Sequence, residues 1–460
     1  MAPRLLHYSD IENACDDPPR IGRLVRAIDH HHTDDTLVVG TGDNTSPGVL
    51  PLVTEGRQAL EFYDAIDPDV ETFGNHDFDY GLEVTREIVR ESPQRWLTAN
   101  VRRNGNRFGA DVGVEPWTIL ERDGLAIGFT GVTTPQTPSI NPMAADLVVE
   151  EPIDAVRETV ETLRDAGADV VVVCSHLGRG DEKLARRVDI DVVLGGHVPS
   201  PRNEVIDGTL LTRPGDGGTA IVEAEFGNDG MPRATIHETA GLDPDPDTAR
   251  VFRRLQAEAG LDDVVATVEN PLDRSETTVF GGEARVGNFV ADAYRWATDA
   301  DVGLQNSGGL RTGSTLTGEV TVADMISLVP FDEPVAVAEV DGATLEAIFD
   351  GAAGATLGFA EPDWWHAQVG GVTLEWDRQG HDVSVLSVAG EPVDHERTYR
   401  LATSEYLFHT DDEFPALERG DRIEVTDRSQ HEILTDYARA CGIDPALEGR
   451  VRPAADDDPE

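Results

Sequence analysis

Five short apolar runs in the first 200 residues each end in a side chain able to bind a metal ion, and this repetition constrains the fold more than any other feature. Asp10 follows RLLHYS, Asp43 follows TLVVGTG, Asn75 follows VETFG, His176 follows DVVVVCS and His197 follows DVVLGG. Buried strands release their last residues into loops at one edge of a sheet, where α/β proteins assemble their sites. Singly, each residue reads as a helix cap, a turn residue or a satisfied edge histidine. Five in matching contexts predict one shared site. Carboxylate, amide and imidazole donors together suit two divalent cations, with one carboxylate bridging ions about 3.5–4 Å apart; Asp43 is the expected bridge.

Between the runs, PIDAVRETVETLRDAGA places Ile153, Val156, Val160 and Leu163 on one helical stripe, with Gly167 as its stop. The alternation predicts an α/β domain over residues 1–240. A Pro/Asp-rich turn and an amphipathic helix, with Asp247 as the expected N-cap and Gly260 as the stop, predict a linker helix at 241–262. A further mixture of helices and strands, with turn signals at RQGH and VAGE, predicts a second domain over 263–452, followed by an acidic tail at 453–460.

The charge balance narrows the function classes. Asp and Glu number 87 against 37 Lys and Arg, a formal net charge of -50, which repels polyanions and argues against nucleic-acid binding. Such a surface is tolerable in molar salt, where the Debye length falls to about 3 Å. With Lys183 the only lysine, the balance resembles that of salt-in halophilic archaeal proteins. Cys15, Cys174 and Cys441 are widely spaced, without a CxxC pair, so no disulfide framework is expected. MAPRLLHYSD carries no apolar signal core, and no segment has the apolar length of a membrane span. The expectation is a soluble cytoplasmic protein with no membrane partner.

SDIE, GTGDN, TFGNHDFDYG, CSH and GGH occur in the order found in calcineurin-like metallophosphoesterases. In the second half, VGNFVADAYRWATDADVGLQNSGGLRTG, PFDEP and LATSEYLF narrow the resemblance to the 5′-nucleotidase family, over nearly the whole chain. The resemblance implies a four-layer metallophosphoesterase β-sandwich flanked by helices, plus a C-terminal α+β substrate domain. It makes Asp10, Asp43, Asn75, His176 and His197 metal ligands. His76 becomes the catalytic histidine, Asp79 the carboxylate that orients it, and Gly74 the residue that permits the tight loop. Asn306, Gly308 and Arg311 fall in the substrate loop, Phe331 and Tyr406 match a pair of rings that sandwich the base, and Asp412 aligns with a ribose-binding aspartate. Rotation of the domains about the linker is also implied.

The chain departs from the family pattern at several positions. Glu12 stands where the first motif has histidine; in extended chain its carboxylate faces the same side as Asp10 and ligates instead. Pro199 stands where the last motif has histidine or glutamine. Both changes fall on the metal site that shares Asp10, so a harder donor set shifts the expectation from zinc toward manganese or magnesium. Cys15 reads as a loop thiol rather than a substitute ligand. Phe280 replaces a family arginine for which Arg285 is a candidate substitute, and TDDE replaces a glycine-rich loop. Trp364 and Trp365 carry no motif and read as surface-loop or domain-contact residues. Asp77 and Asp111 read as loop or surface charges, and DHHHTDD at 29–35 as a polar helix end.

The expected activity is metal-dependent phosphoester hydrolysis, first of 5′-nucleoside monophosphates. Alternatives are a cyclic-nucleotide phosphodiesterase, a nucleotide-sugar hydrolase, a nonspecific phosphomonoesterase, or a noncatalytic nucleotide- or metal-binding protein with a degraded first site.

Overall fold

The computed structural model describes residues 3–227, 231–357, 361, 363–377, 383–410 and 412–454; the RQGH turn and the ADDDPE end of the tail lie outside them. Two compact units divide the chain, Met1–Ala259 and Gly260–Glu460.

The first unit is built on two six-stranded sheets. One runs Pro232–Glu238, Ala220–Phe226, Arg4–Tyr8, Thr36–Gly40, Val70–Thr72, Arg95–Leu97, and its last four strands are parallel. The other runs Arg202–Ile206, Thr209–Arg213, Val192–Gly195, Val170–His176, Leu125–Thr133, Trp117–Arg122, parallel through its four central strands. Side chains alternate across each strand, and Val170–His176 shows the consequence. Val172 and Cys174 point into a core shared with Leu5, Leu37 and Val39 of the first sheet. Val171 and Val173 point the other way, onto Val156, Val160 and Leu163 of the helix Pro152–Asp165. That helix is the one whose apolar stripe is visible in the sequence, and Gly167 follows it at φ 97°. The result is the helix–sheet–sheet–helix layering, with parallel strands delivering their C-terminal ends to one edge of each sheet.

The helix Pro246–Glu258 packs on the helices Pro18–His31 and Gln58–Ile66 of the first unit. Its N-cap is Asp245, which accepts from Thr248 N at 2.9 Å, not Asp247, which lies within the first turn. Two residues earlier in the chain, the carboxylate meets the free backbone N–H groups that Pro246 at the first position leaves exposed.

In the second unit a five-stranded sheet runs Ala367–Gly370, Val302–Asn306, Thr398–Ser404, Pro334–Asp341, Arg422–Ser429. Ala336, Ala338 and Val340 face one core with Leu345 and Phe349, while Val335 and Val337 face another with Val290, Ile433 and Leu434. A smaller sheet includes the strands Val383–Val388 and Glu391–Pro392, joined at VAGE by a two-residue turn in which Ala389 and Gly390 both have positive φ (50° and 80°), the backbone that matches strand twist. Trp365 is fully buried against Trp376, ring centroids 5.0 Å apart, which corrects its reading as a surface residue.

Candidate metal centre and substrate pocket

The strand ends of the first unit meet as the motif spacing predicts. Potential ligand atoms of Asp10, Glu12 and Asp43 lie within 4.8 Å of one another, and so do those of Asp43, His176 and His197. Asp43 is common to both groups, the position expected of a bridge. Asn75 follows Val70–Thr72 into the same loop, where the N–H of the next residue, His76, donates to Asp43 Oδ1 at 2.7 Å.

Glu12 reaches the group by a route other than the extended one. Asp10 and Glu12 have φ of 49° and 44°, so the chain folds back and enters the short 3-10 turn Glu12–Asp16. Asp43 (φ 54°) and His197 (φ 71°) are left-handed as well. This conformation costs a non-glycine residue about 1–3 kcal/mol and clusters at functional sites. Gly74 and Gly196 supply the clearance: a Cβ on Gly74 would collide with the Asp43 carboxylate, and one on Gly196 with Ser9, Asp10 and His176. Gly74 is thus required for close approach, not for positive φ.

His176 and Asn75 show that the donor set fits divalent cations. His176 Nδ1 lies 2.7 Å from the Thr41 carbonyl, which only accepts, so that nitrogen carries the hydrogen. Nε2 then faces Asp43 Oδ2 at 2.9 Å, outside hydrogen-bond geometry. A neutral ring would oppose two lone pairs there, so the contact calls for positive charge, from a metal ion or from a proton on Nε2. Burial opposes charge on His176, but Asp43, with Asp10, outweighs it and lifts the pKa to about 10. Buried Asn75 Oδ1 likewise has no hydrogen-bond partner. Burial, then Asp43 and Asp10, push Glu12 up to about 8, and burial is the main cause raising Asp10 to about 7. Asp10 and Glu12, crowded against Asp43, therefore carry an unmet demand for positive charge.

His76 stands over this group as one half of a dyad. Its Nδ1 lies 3.0 Å from Asp79 Oδ2 and 3.2 Å from Oδ1. Asp79 is itself held by Ser46 Oγ at 2.7 Å and Asn141 Nδ2 at 2.9 Å. Asn141 also donates to the Asn75 carbonyl at 2.7 Å, tying the dyad to the metal loop. Sequence reading misses both holders. Ser46 lies three residues past Asp43, and Asn141 has only the turn signal of an Asn-Pro pair.

Asp77 is not a surface charge. It is buried, and its carboxylate accepts from the backbone N–H groups of Gly74 (2.7 Å), Asp43 (2.9 Å), Thr45 (3.1 Å) and Asn44 (3.2 Å), and from Thr45 Oγ1 (2.8 Å). It fastens the two ligand loops together. Asp111 is exposed and pairs with Arg86. Buried Cys15 is in neither ligand group.

In the second unit the convergence point is Glu413. Asn306 Nδ2 donates to its Oε2 at 2.8 Å, His366 Nε2 lies 2.6 Å from the same oxygen, and Tyr406 OH donates to Oε1 at 2.9 Å. Asp412 is exposed, its backbone N–H bound to Thr410 Oγ1 at 3.1 Å. Adjacent side chains leave the loop on different sides, and the one turned inward is Glu413. Arg311 lies over the Phe331 ring, 4.9 Å from its centroid, in the segment after the short turn Ser307–Gly309 that contains Gly308. Phe280 stacks on Trp364 at 4.1 Å. Arg285 does not stand in for the missing arginine, because its guanidinium is spent on the carbonyls of Pro445, Asn270 and Pro271 at 2.7–3.2 Å.

Comparison with known proteins agrees with this geometry. Residues 3–201 match the calcineurin-like phosphoesterase family, the class that the first unit and its metal-binding edge define. Residues 264–419 match the 5′-nucleotidase C-terminal domain. The chain belongs to the 5′-nucleotidase family of calcineurin-like metallophosphoesterases, hydrolases of phosphoester bonds that use divalent metals. It is 26% identical to an apyrase of Tabanus yao over 91% of this chain and 84% of that protein. It is 23% identical to the trifunctional nucleotide phosphoesterase protein YfkN of Bacillus subtilis over 97% of this chain, which spans 34% of that longer protein. The 5′-nucleotidase precursor of Thermus thermophilus shares the fold, with a TM-score of 0.72 at 21% identity and full coverage of both chains. Among the described residues no helix is long and apolar enough to cross a membrane.

Proposed function

We propose that this protein releases phosphate from 5′-nucleoside monophosphates, with Asp10, Glu12, Asp43, Asn75, His176 and His197 holding two divalent ions. The observation that carries the reading is Asp43, shared by both ligand groups, with His176 Nε2 2.9 Å from its Oδ2. The ions, when bound, would neutralise phosphoryl oxygens and lower the pKa of water. His76, held by Asp79, contacts the phosphoryl group and passes a proton to the leaving oxygen. The carboxylate-rich Asp10–Glu12 side favours manganese or magnesium over zinc.

In the second domain, Arg311 and Phe331 form one face of the nucleoside pocket. Asn306, Gly308 and Tyr406 form the other, and Tyr406 stacks on the base without selecting it. Glu413, not Asp412, takes the ribose hydroxyls, a reading supported by its burial among three side-chain partners. The excess of 87 acidic over 37 basic side chains fits a cytoplasm of molar salt.

The test is phosphate release from nucleoside monophosphates, a cyclic nucleotide and an aryl phosphate in molar KCl, with manganese, magnesium, zinc or chelator. Metal-dependent release that favours monophosphates, and is abolished in Asp43→Asn and His76→Ala, supports the proposal. Equal rates on the aryl ester, or no release by folded protein, sink it.

A further inference from the structure

We propose a second metal site, of zinc type, formed by His31, Glu223 and His237 on the outer side of the first sheet. The DHHHTDD segment reads in sequence as a polar helix end, but the fold gives one of its three consecutive histidines two partners from a distant hairpin. His31 is the last residue of the helix Pro18–His31, while Glu223 and His237 lie on the paired strands Ala220–Phe226 and Pro232–Glu238. Potential ligand atoms of the three lie within 4.8 Å of one another. The flanking His30 and His32 are exposed and outside the group.

Both imidazoles aim at one oxygen. His237 Nε2 is 2.8 Å and His31 Nδ1 3.5 Å from Glu223 Oε2, and the rings stack with centroids 3.9 Å apart. The longer separation is not a good hydrogen bond. It does match the edge of a zinc tetrahedron, about 3.3 Å for ligands about 2.0–2.1 Å from the ion. Arg4 binds the other oxygen, Oε1, at 2.9 Å and so fixes the carboxylate's orientation, while its charge is shared with Glu225 at 3.1 Å. Two imidazoles and one carboxylate form a borderline donor set that favours zinc over magnesium or calcium. Three protein ligands leave a fourth position open.

This group is separate from the phosphoester site. The helix Pro18–His31 starts just after the Glu12–Asp16 turn, and its fourteen residues carry His31 about 21 Å away along the axis.

The experiment titrates zinc into chelator-stripped, full-length protein in molar KCl and excess magnesium, which fills carboxylate-only sites, with a chromogenic chelator as competitor. The variants are His31→Gln, Glu223→Gln and the double variant Asp43→Asn/His176→Asn. Loss of one zinc equivalent in His31→Gln and in Glu223→Gln, with that equivalent kept in the Asp43/His176 variant, establishes the site. His31 ends a helix and is partly exposed, so its substitution leaves both strands intact; a metal-free melting curve matching the parent checks this. Unchanged zinc stoichiometry and affinity in folded His31→Gln overturns the proposal and leaves a hydrogen-bonded triad.

Discussion

Asp79 grips His76 through Nδ1 at 3.0 Å while being gripped in turn by Ser46 and Asn141. The dyad is therefore part of a chain of four side chains, of which His76 is the most exposed. Removing the imidazole in His76→Ala is expected to lower kcat by about 10²–10⁴, the usual worth of a positioned acid or base. Asp79→Asn keeps the shape but weakens the grip, so its loss should be smaller, and Asn141→Ala smaller still. KM should stay near the parent value in all three. Steady-state kinetics on one nucleoside monophosphate checks the ranking; a His76→Ala enzyme with parental kcat removes the role.

Asp77 makes a prediction of the opposite kind. Its carboxylate satisfies four backbone N–H groups of the ligand loops, and each buried donor left unpaired costs about 1–3 kcal/mol. Asp77→Ala should lower the melting temperature and weaken metal binding together. Chelator-stripped protein should show the same drop, since the lost bonds are internal. A variant that melts like the parent would show that water replaces the carboxylate.

How much of this is legible in the sequence depends on whether a residue's role is local. Asp43, Asn75, His176 and His197 announce themselves because a strand end and a chemical type suffice to place them. Glu12 is also legible, though it arrives by a backward-folded turn that no pattern encodes. Asp77 is legible only as a loop or surface charge; which of the two it is depends on donors from another loop, which spacing does not reveal. That Asp412 is exposed and its neighbour Glu413 buried is not legible either, since a loop without regular geometry gives no rule for which side chain turns inward. Trp365 is misread for the same reason: its burial comes from the partner Trp376.

Gly74 offers a steric test of the metal centre. A methyl group there meets the Asp43 carboxylate and backbone, and overpacking typically costs about 1–3 kcal/mol. Because the displaced group is the carboxylate common to both candidate ligand groups, Gly74→Ala should lose metal-dependent turnover far more than it loses stability. Activity titrated against manganese should need much higher metal or stay at background. Parental metal dependence would mean that Asp43 is not the bridge.

Glu413 predicts how the second domain responds to acid. Burial alone would raise its pKa, but His366, with Asn306 and Tyr406, holds the carboxyl below the ordinary 4.5 of a glutamate. A folded-state pKa below the unfolded one means that ionised Glu413 stabilises the fold above pH 4.5, and that the stabilisation disappears as pH falls further. Calorimetry in molar KCl should therefore show the melting temperature of the second domain dropping as pH falls below 4.5. Glu413→Gln should flatten that drop. It should also start about 1–3 kcal/mol less stable at neutral pH, because an amide turns a donor toward Asn306 or Tyr406. The same substitution should raise KM for a nucleoside monophosphate and leave that for an aryl phosphate unchanged, whereas Asp412→Asn should alter neither. An acid transition of parental depth in Glu413→Gln would assign the pH response to other carboxylates.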